Sequence, residues 1–160
     1  MRLGMEIEIK FNELERFSFL KKEISSFFTE EFIVVDSFVR ERRWAHATLD
    51  DKQIFESDAI NLSNALYAIG CDSIYAAWAC NFFSENDDFF VKRFSSDVSS
   101  IEEVQNPYSE IDHLESFFFS GYPLKFLIFR PDTHQQLLHL LGPVDFVSMV
   151  AKEEGWKIVF

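Results

Sequence analysis

Lys125-Phe126-Leu127-Ile128-Phe129-Arg130 is the stretch that decides the fold. Four consecutive apolar residues lie between two cations, too few for a helix and with no wet face, so the run predicts a central strand buried on both sides. Pro131-Asp132 stops it. Downstream, Thr133 and Gln136 match a capping box ahead of Leu137, Leu138, Leu140 and Leu141, which predicts a helix closed by Gly142-Pro143. Val144, Val147 and Val150 then form the apolar stripe of a further helix as far as Gly155, and Trp156 to Phe160 alternates as a strand.

Upstream, Ser109 to Phe119 reads as a helix, and Ser100 with Glu103 opens a shorter one that Asn106-Pro107 must end. Ser73 to Phe83 and Phe89 to Phe94 pair as a hairpin around the polar turn Ser84 to Asp88. Before them, Ser57 or Asp58 caps a helix whose apolar positions are Ile60, Leu62, Leu66 and Ile69, with Gly70 at the left-handed C-terminal position. Phe32 to Leu49 reads as extended. Asn12 and Glu15 cap a helix from about Glu13 to Phe28 carrying Leu14, Phe17, Leu20, Ile24 and Phe27. Met5, Ile7, Ile9 and Phe11 alternate with Glu6, Glu8 and Lys10 as a first strand with one wet face. Strands and helices interleave, so the class is α/β or α+β: a single domain over residues 1–160, with one mixed β-sheet packed by several helices.

Composition agrees with a folded chain. Of 160 residues 48% are hydrophobic and nine are Gly or Pro, so the net charge of -12 is not that of a disordered tail. Twenty Phe residues point to a core built largely from phenyl rings. Residues 1–4 lead straight into a charged alternation without an apolar segment, and no run reaches the roughly 18 apolar residues that span a bilayer. Cys71 and Cys80 form neither a CxxC pair nor a metal-ligand rhythm and read as reduced, buried thiols in a cytoplasmic protein.

Charge is the sharpest functional signal. Residues 53–124 carry 12 acids against Lys92 and Arg93, a net of -10, whereas the segments on either side are close to balanced. Such a field repels nucleic acid and anionic membrane and speeds encounter with a basic partner.

Catalytic constellations are sparse. His134 and His139 are five apart, not at the four-residue spacing of a zinc-protease helix, and read as helix-surface or partly buried histidines. Glu85, Asp87 and Asp88 lack the Gly and closing Glu of a Ca²⁺ loop, so a solvated acidic turn is the plainer reading and no metal is expected. Gly residues at 4, 70, 121, 142 and 155 assemble no phosphate-binding loop, and no cofactor is expected. No G-x-S-x-G elbow occurs. Cys71 is the one conceivable nucleophile, with His46, His113 or His139 as its base, but Asp72 beside it raises a thiol pKa, so no catalytic residue is assigned. Arg40, Arg42 and Arg43 beside Trp44 form a basic-aromatic cluster of the kind that grips nucleic acid, although pairing with Glu41, Asp50 and Asp51 fits the acidic background better.

In size and character, and in the stretches SDAINLSNALYAIGCDSIYAAW (Ser57 to Trp78) and LLGPVDFVSMVAKEEGWKIVF (Leu140 to Phe160), the chain resembles bacterial immunity proteins of contact-dependent growth inhibition and other polymorphic toxin systems. The resemblance implies a cytoplasmic binding protein, not an enzyme, in a tight complex with a cognate toxin, often a basic nuclease domain, whose active site or substrate surface it covers. Two other readings are an inhibitor from a phage or mobile element that mimics DNA charge, and a small enzyme using Cys71. For the binding reading the candidate contact residues are Glu85, Asp87, Asp88, Glu102, Glu103, Glu110, Asp112 and Glu115, with Phe118 or Tyr122 as an apolar anchor.

Overall fold

A computed structural model describes residues 7–8, 20–31, 33–50, 53–78, 91–105, 117–121, 123–130 and 137–160. Its eight strands are β1 (Ile7–Glu8), β2 (Trp44–Leu49), β3 (Ser73–Trp78), β4 (Val91–Ser95), β5 (Phe117–Ser120), β6 (Leu127–Arg130), β7 (Leu138–Pro143) and β8 (Trp156–Ile158). They form one sheet in the order β1-β4-β3-β5-β6-β7-β2-β8. Every pairing is antiparallel. The KFLIFR run supplies β6, an interior strand with Leu127, Ile128 and Phe129 all buried. β3 and β4 pair antiparallel as expected, Ile74 opposite Phe94, while the expected turn Ser84 to Asp88 lies outside the described residues.

Helices cover both faces, which makes the molecule a mixed α/β fold. On one face α3 (Ser57–Ala68), α4 (Val98–Val104) and α5 (Val144–Val150) pack over the inward residues of the strands, among them Ala47, Ile74, Phe119, Ile128 and Leu140. On the other, a helical segment α1 (20–25) and the short helix α2 (Asp36–Glu41) cover Trp44, Tyr75, Leu127, Phe129 and Leu141. Alternation along β7 divides its residues between the two cores: Leu138 and Leu140 go to the α3 side, and His139 and Leu141 to the α2 side. Among the described residues, five of the ten largest fully buried side chains are Phe, set among buried Leu, Ile and Val.

α3 ends as its sequence suggests. Gly70 has φ +78, Cys71 N–H donates to Leu66 C=O (2.8 Å), Gly70 N–H donates to Tyr67 C=O (3.1 Å), and Lys125 Nζ reaches the Ile69 carbonyl (3.0 Å). This is a Schellman closure, with a lysine on one of the remaining carbonyls.

Several local expectations are overturned. Leu138–Pro143 is a strand, not a helix: each leucine in it finds a buried partner on β2 or β6, and a run buried on both faces loses the alternation that would have marked it. Phe117–Ser120 is likewise a strand, with Phe119 1% exposed. Asp36–Glu41, expected to be extended, is helical, and tertiary contacts outweigh its local pattern: Val39 is buried and Asp36 is bonded to β2. α3 starts after Glu56, which has φ 54 and makes no side-chain cap bond, so neither Ser57 nor Asp58 caps it. Asp97 caps α4 by accepting from Ser100 N–H (2.8 Å), which places Ser100 inside the helix. Ile60 and Val144, expected on apolar inner stripes, are 49% and 58% exposed.

Candidate functional site

Much of the expected acidic contact surface, namely Glu85, Asp87, Asp88, Glu110, Asp112, Glu115 and Tyr122, lies outside the described residues, as do Cys80, His113 and His134. Phe118 sits in β5, opposite Ala77 and Phe129. Glu102 and Glu103 are half-buried on α4, and Glu102 accepts a hydrogen bond from the Glu56 backbone N–H (2.8 Å), holding the start of α3 against α4. Gln105, fully buried, completes that junction: it accepts from Ile54 N–H (2.6 Å) and donates to Ile54 C=O and Ile101 C=O (2.8 Å each). Asp97 is half-buried, which would raise its pKa, but the Ser100 N–H and the Ser95 and Ser99 hydroxyls hold the carboxyl below its ordinary value.

The α3 side collects exposed carboxylates. The indole of Trp156 donates to Asp58 (2.8 Å) and Asn61 Nδ2 to Glu153 (3.4 Å), bringing the start of α3 beside the segment that follows α5. Leu49, Asp50, Asp58, Glu154 and Gly155 line an open concavity of about 390 Å³ there. Among the described residues no group of three or more His, Cys, Asp or Glu is arranged to hold a metal ion, and no helix is long and apolar enough to cross a membrane.

Of the basic-aromatic cluster only Trp44 faces inward, since Arg40 and Arg43 are exposed and Arg42 is half-buried. Trp44 is buried and stacked on Phe27 with centroids 5.1 Å apart, so its face is not open to a base. Arg42 lies 4.6 Å over the Trp44 ring and pairs with Glu23 (2.8 Å), a residue nineteen positions away and not one of the acids expected as partners. Arg40 covers the Phe160 ring at 4.3 Å.

Cys71 is a free, buried thiol in the α3-side core. Burial pushes its pKa up, against the lowering effect of Lys125 and with a further rise from Asp72, so the thiolate is disfavoured at neutral pH. His46 and His139 lie on the opposite face of the sheet and bond to each other. Asp36 Oδ1 is 3.0 Å from His46 Nδ1, and His46 Nε2 is 2.9 Å from His139 Nδ1. The carboxylate requires a proton on His46 Nδ1, so with both rings neutral His46 Nε2 accepts from His139 Nδ1–H and His139 Nε2 is left as a bare acceptor. Burial lowers the pKa of both rings; Asp36 opposes this at His46, and His46 reinforces it at His139, which falls to about 4. At that pKa His139 is a weak base near neutral pH. No local pattern marks this Asp36–His46–His139 relay, because its three members are brought together only by the β2–β7 register and the packing of α2.

No protein-family model, curated protein or solved structure matches the chain.

Proposed function

We propose that this protein acts by binding: it neutralises a cognate basic protein toxin in the cytoplasm by covering the toxin's active site or substrate surface, in the manner of a bacterial immunity protein. The single observation that carries the reading is the one-signed field, a net of -10 over residues 53–124 on a chain of -12 overall. A compact domain with that charge attracts cationic protein surfaces and repels polyanions. Burial of the Cys71 thiol, which raises its pKa, and burial of Trp44 weigh against Cys71 as a nucleophile and against a nucleic-acid grip through that cluster.

The test is co-purification and protection. The chain, tagged and expressed in its native cells, is expected to recover a stoichiometric protein of high isoelectric point, and expressing the chain is expected to rescue cells that make that protein alone. Recovery of no basic partner, or a basic partner that is harmless by itself, overturns the reading.

A further inference from the structure

The solvent side of α3 has an unusual composition. Its exposed positions are Ser57, Ile60, Asn64, Tyr67 and Ala68, with no Lys, Arg or Glu among them. Ile60 is 49% and Tyr67 51% exposed, and their seven-residue spacing aligns them on one stripe roughly 10 Å apart. α5 packs beside α3 on the same face of the sheet, and its first residue, Val144, is 58% exposed. A helix whose outer face meets only water ordinarily carries charged side chains there. Loss of charge together with exposed Tyr and aliphatic residues is the composition of an interface centre. Glu56 immediately precedes α3, Asp145 follows Val144, and Glu153 and Glu154 follow α5 beside Lys152, all of them exposed. From Gln53 to Val91 the chain contains no Lys or Arg at all.

We propose that α3 and the start of α5 form the docking surface for the basic partner, with Ile60, Tyr67 and Val144 as the apolar centre and Glu56, Asp145 and Glu153 as an acidic rim. This rests on the binding reading above. The occupant is a cationic protein surface, because the four carboxylates outnumber the single Lys152 and so complement positive charge, while Ile60, Tyr67 and Val144 offer it apolar contact.

The experiment places the photoreactive amino acid p-benzoylphenylalanine at Tyr67 or, as a control, at Ile33, which is 61% exposed just before α2 on the opposite face. Each full-length variant is irradiated in the native cells, and the protein recovered with the tagged wild-type chain is then titrated with wild type, Ile60→Asp, Tyr67→Ala and Val144→Asp, all checked for folding by circular dichroism. We expect a cross-link to the basic protein at position 67 and not at 33, and at least a tenfold weaker Kd for Tyr67→Ala. A basic partner that is recovered but cross-links at 33 alone or at neither position, or that binds all three variants like wild type, overturns this surface and leaves the binding reading standing. A neutral or acidic protein cross-linked at 67 overturns the basic occupant. Recovery of no basic partner with the tagged wild type overturns the binding reading and this surface together.

Discussion

His46 and His139 bond ring to ring, Nε2 to Nδ1 at 2.9 Å, across 93 residues of sequence, with Asp36 holding the far nitrogen of His46. Both rings have pKa values lowered by burial, His139 to about 4, against 6.5 in an unfolded chain. A group whose folded pKa is lowered takes up its proton more readily when unfolded. The stability this pair contributes is therefore complete above pH 6.5 and is lost as pH falls from 6.5 towards 4. The loss by pH 4 is on the order of 2–3 kcal/mol. His139→Asn keeps a donor near the Nδ1 position without a titrating ring, so its melting temperature should fall less steeply over that interval. Thermal melts of both proteins at half-unit steps of pH check this; parallel curves would show that the pair does not titrate with folding.

Gln105 joins α4 to the segment before α3 through three bonds with Ile54 and Ile101, all in the interior. Gln105→Leu keeps the volume but leaves the Ile54 N–H and C=O without that partner. Each stranded group costs about 1–3 kcal/mol, so a loss of roughly 2–4 kcal/mol is expected in urea unfolding. Surface exchanges nearby should cost far less, about 0.5 kcal/mol or under.

How legible the molecule was in its sequence depended on whether a residue's role was local. The β6 run, the β3–β4 pairing and the Gly70 closure of α3 were readable, because a short apolar run, two neighbouring strand-like runs and a left-handed glycine each carry their own signal. Leu138–Pro143 and Asp36–Glu41 were not. Their states are set by β2, β6 and the Asp36–His46 bond, and β2 itself is inserted between β7 and β8 by pairings that no adjacent residues announce. Of the proposed acidic rim only Glu56 lies in the acidic segment 53–124, whereas Asp145 and Glu153 belong to a segment whose charges balance, and the apolar centre was misread. Ile60 and Val144 fit helical core stripes by spacing, and only the packing of α3 on α5 turns them outward.

Cys71 and Gly121 are coupled by packing. A Cβ added at Gly121 would lie 3.0 Å from Cys71 Sγ and 3.2 Å from Phe126 Cε1. Gly121→Ala should therefore destabilise the fold by about 1–3 kcal/mol through overpacking. Shortening the thiol in Cys71→Ala, Gly121→Ala removes one of the two crowded contacts and should recover part of that loss, a positive coupling readable in a double-mutant cycle. Cys71→Ala alone should leave partner binding and protection unchanged, because the thiol is buried in the core with its pKa raised. Loss of protection in a folded Cys71→Ala protein would revive cysteine chemistry.

If the net negative charge of the chain draws the partner in, encounter and retention should fail separately. Asp145 and Glu153 are exposed and act mainly at a distance, where salt screens charge over about 10 Å at 0.1 M. Asp145→Lys with Glu153→Lys should slow association by roughly tenfold at low salt and change the dissociation rate little. Raising the salt should slow wild-type association towards the rate of that variant and narrow the difference between them. Tyr67→Ala acts only after contact, on the desolvated centre, so it should hasten dissociation by an amount equivalent to about 2 kcal/mol and leave association nearly untouched. Stopped-flow mixing with the purified partner at two salt concentrations measures the association and dissociation rates of wild type and both variants. An association rate insensitive to both salt and charge reversal would mean that the acidity of this chain does not steer its partner.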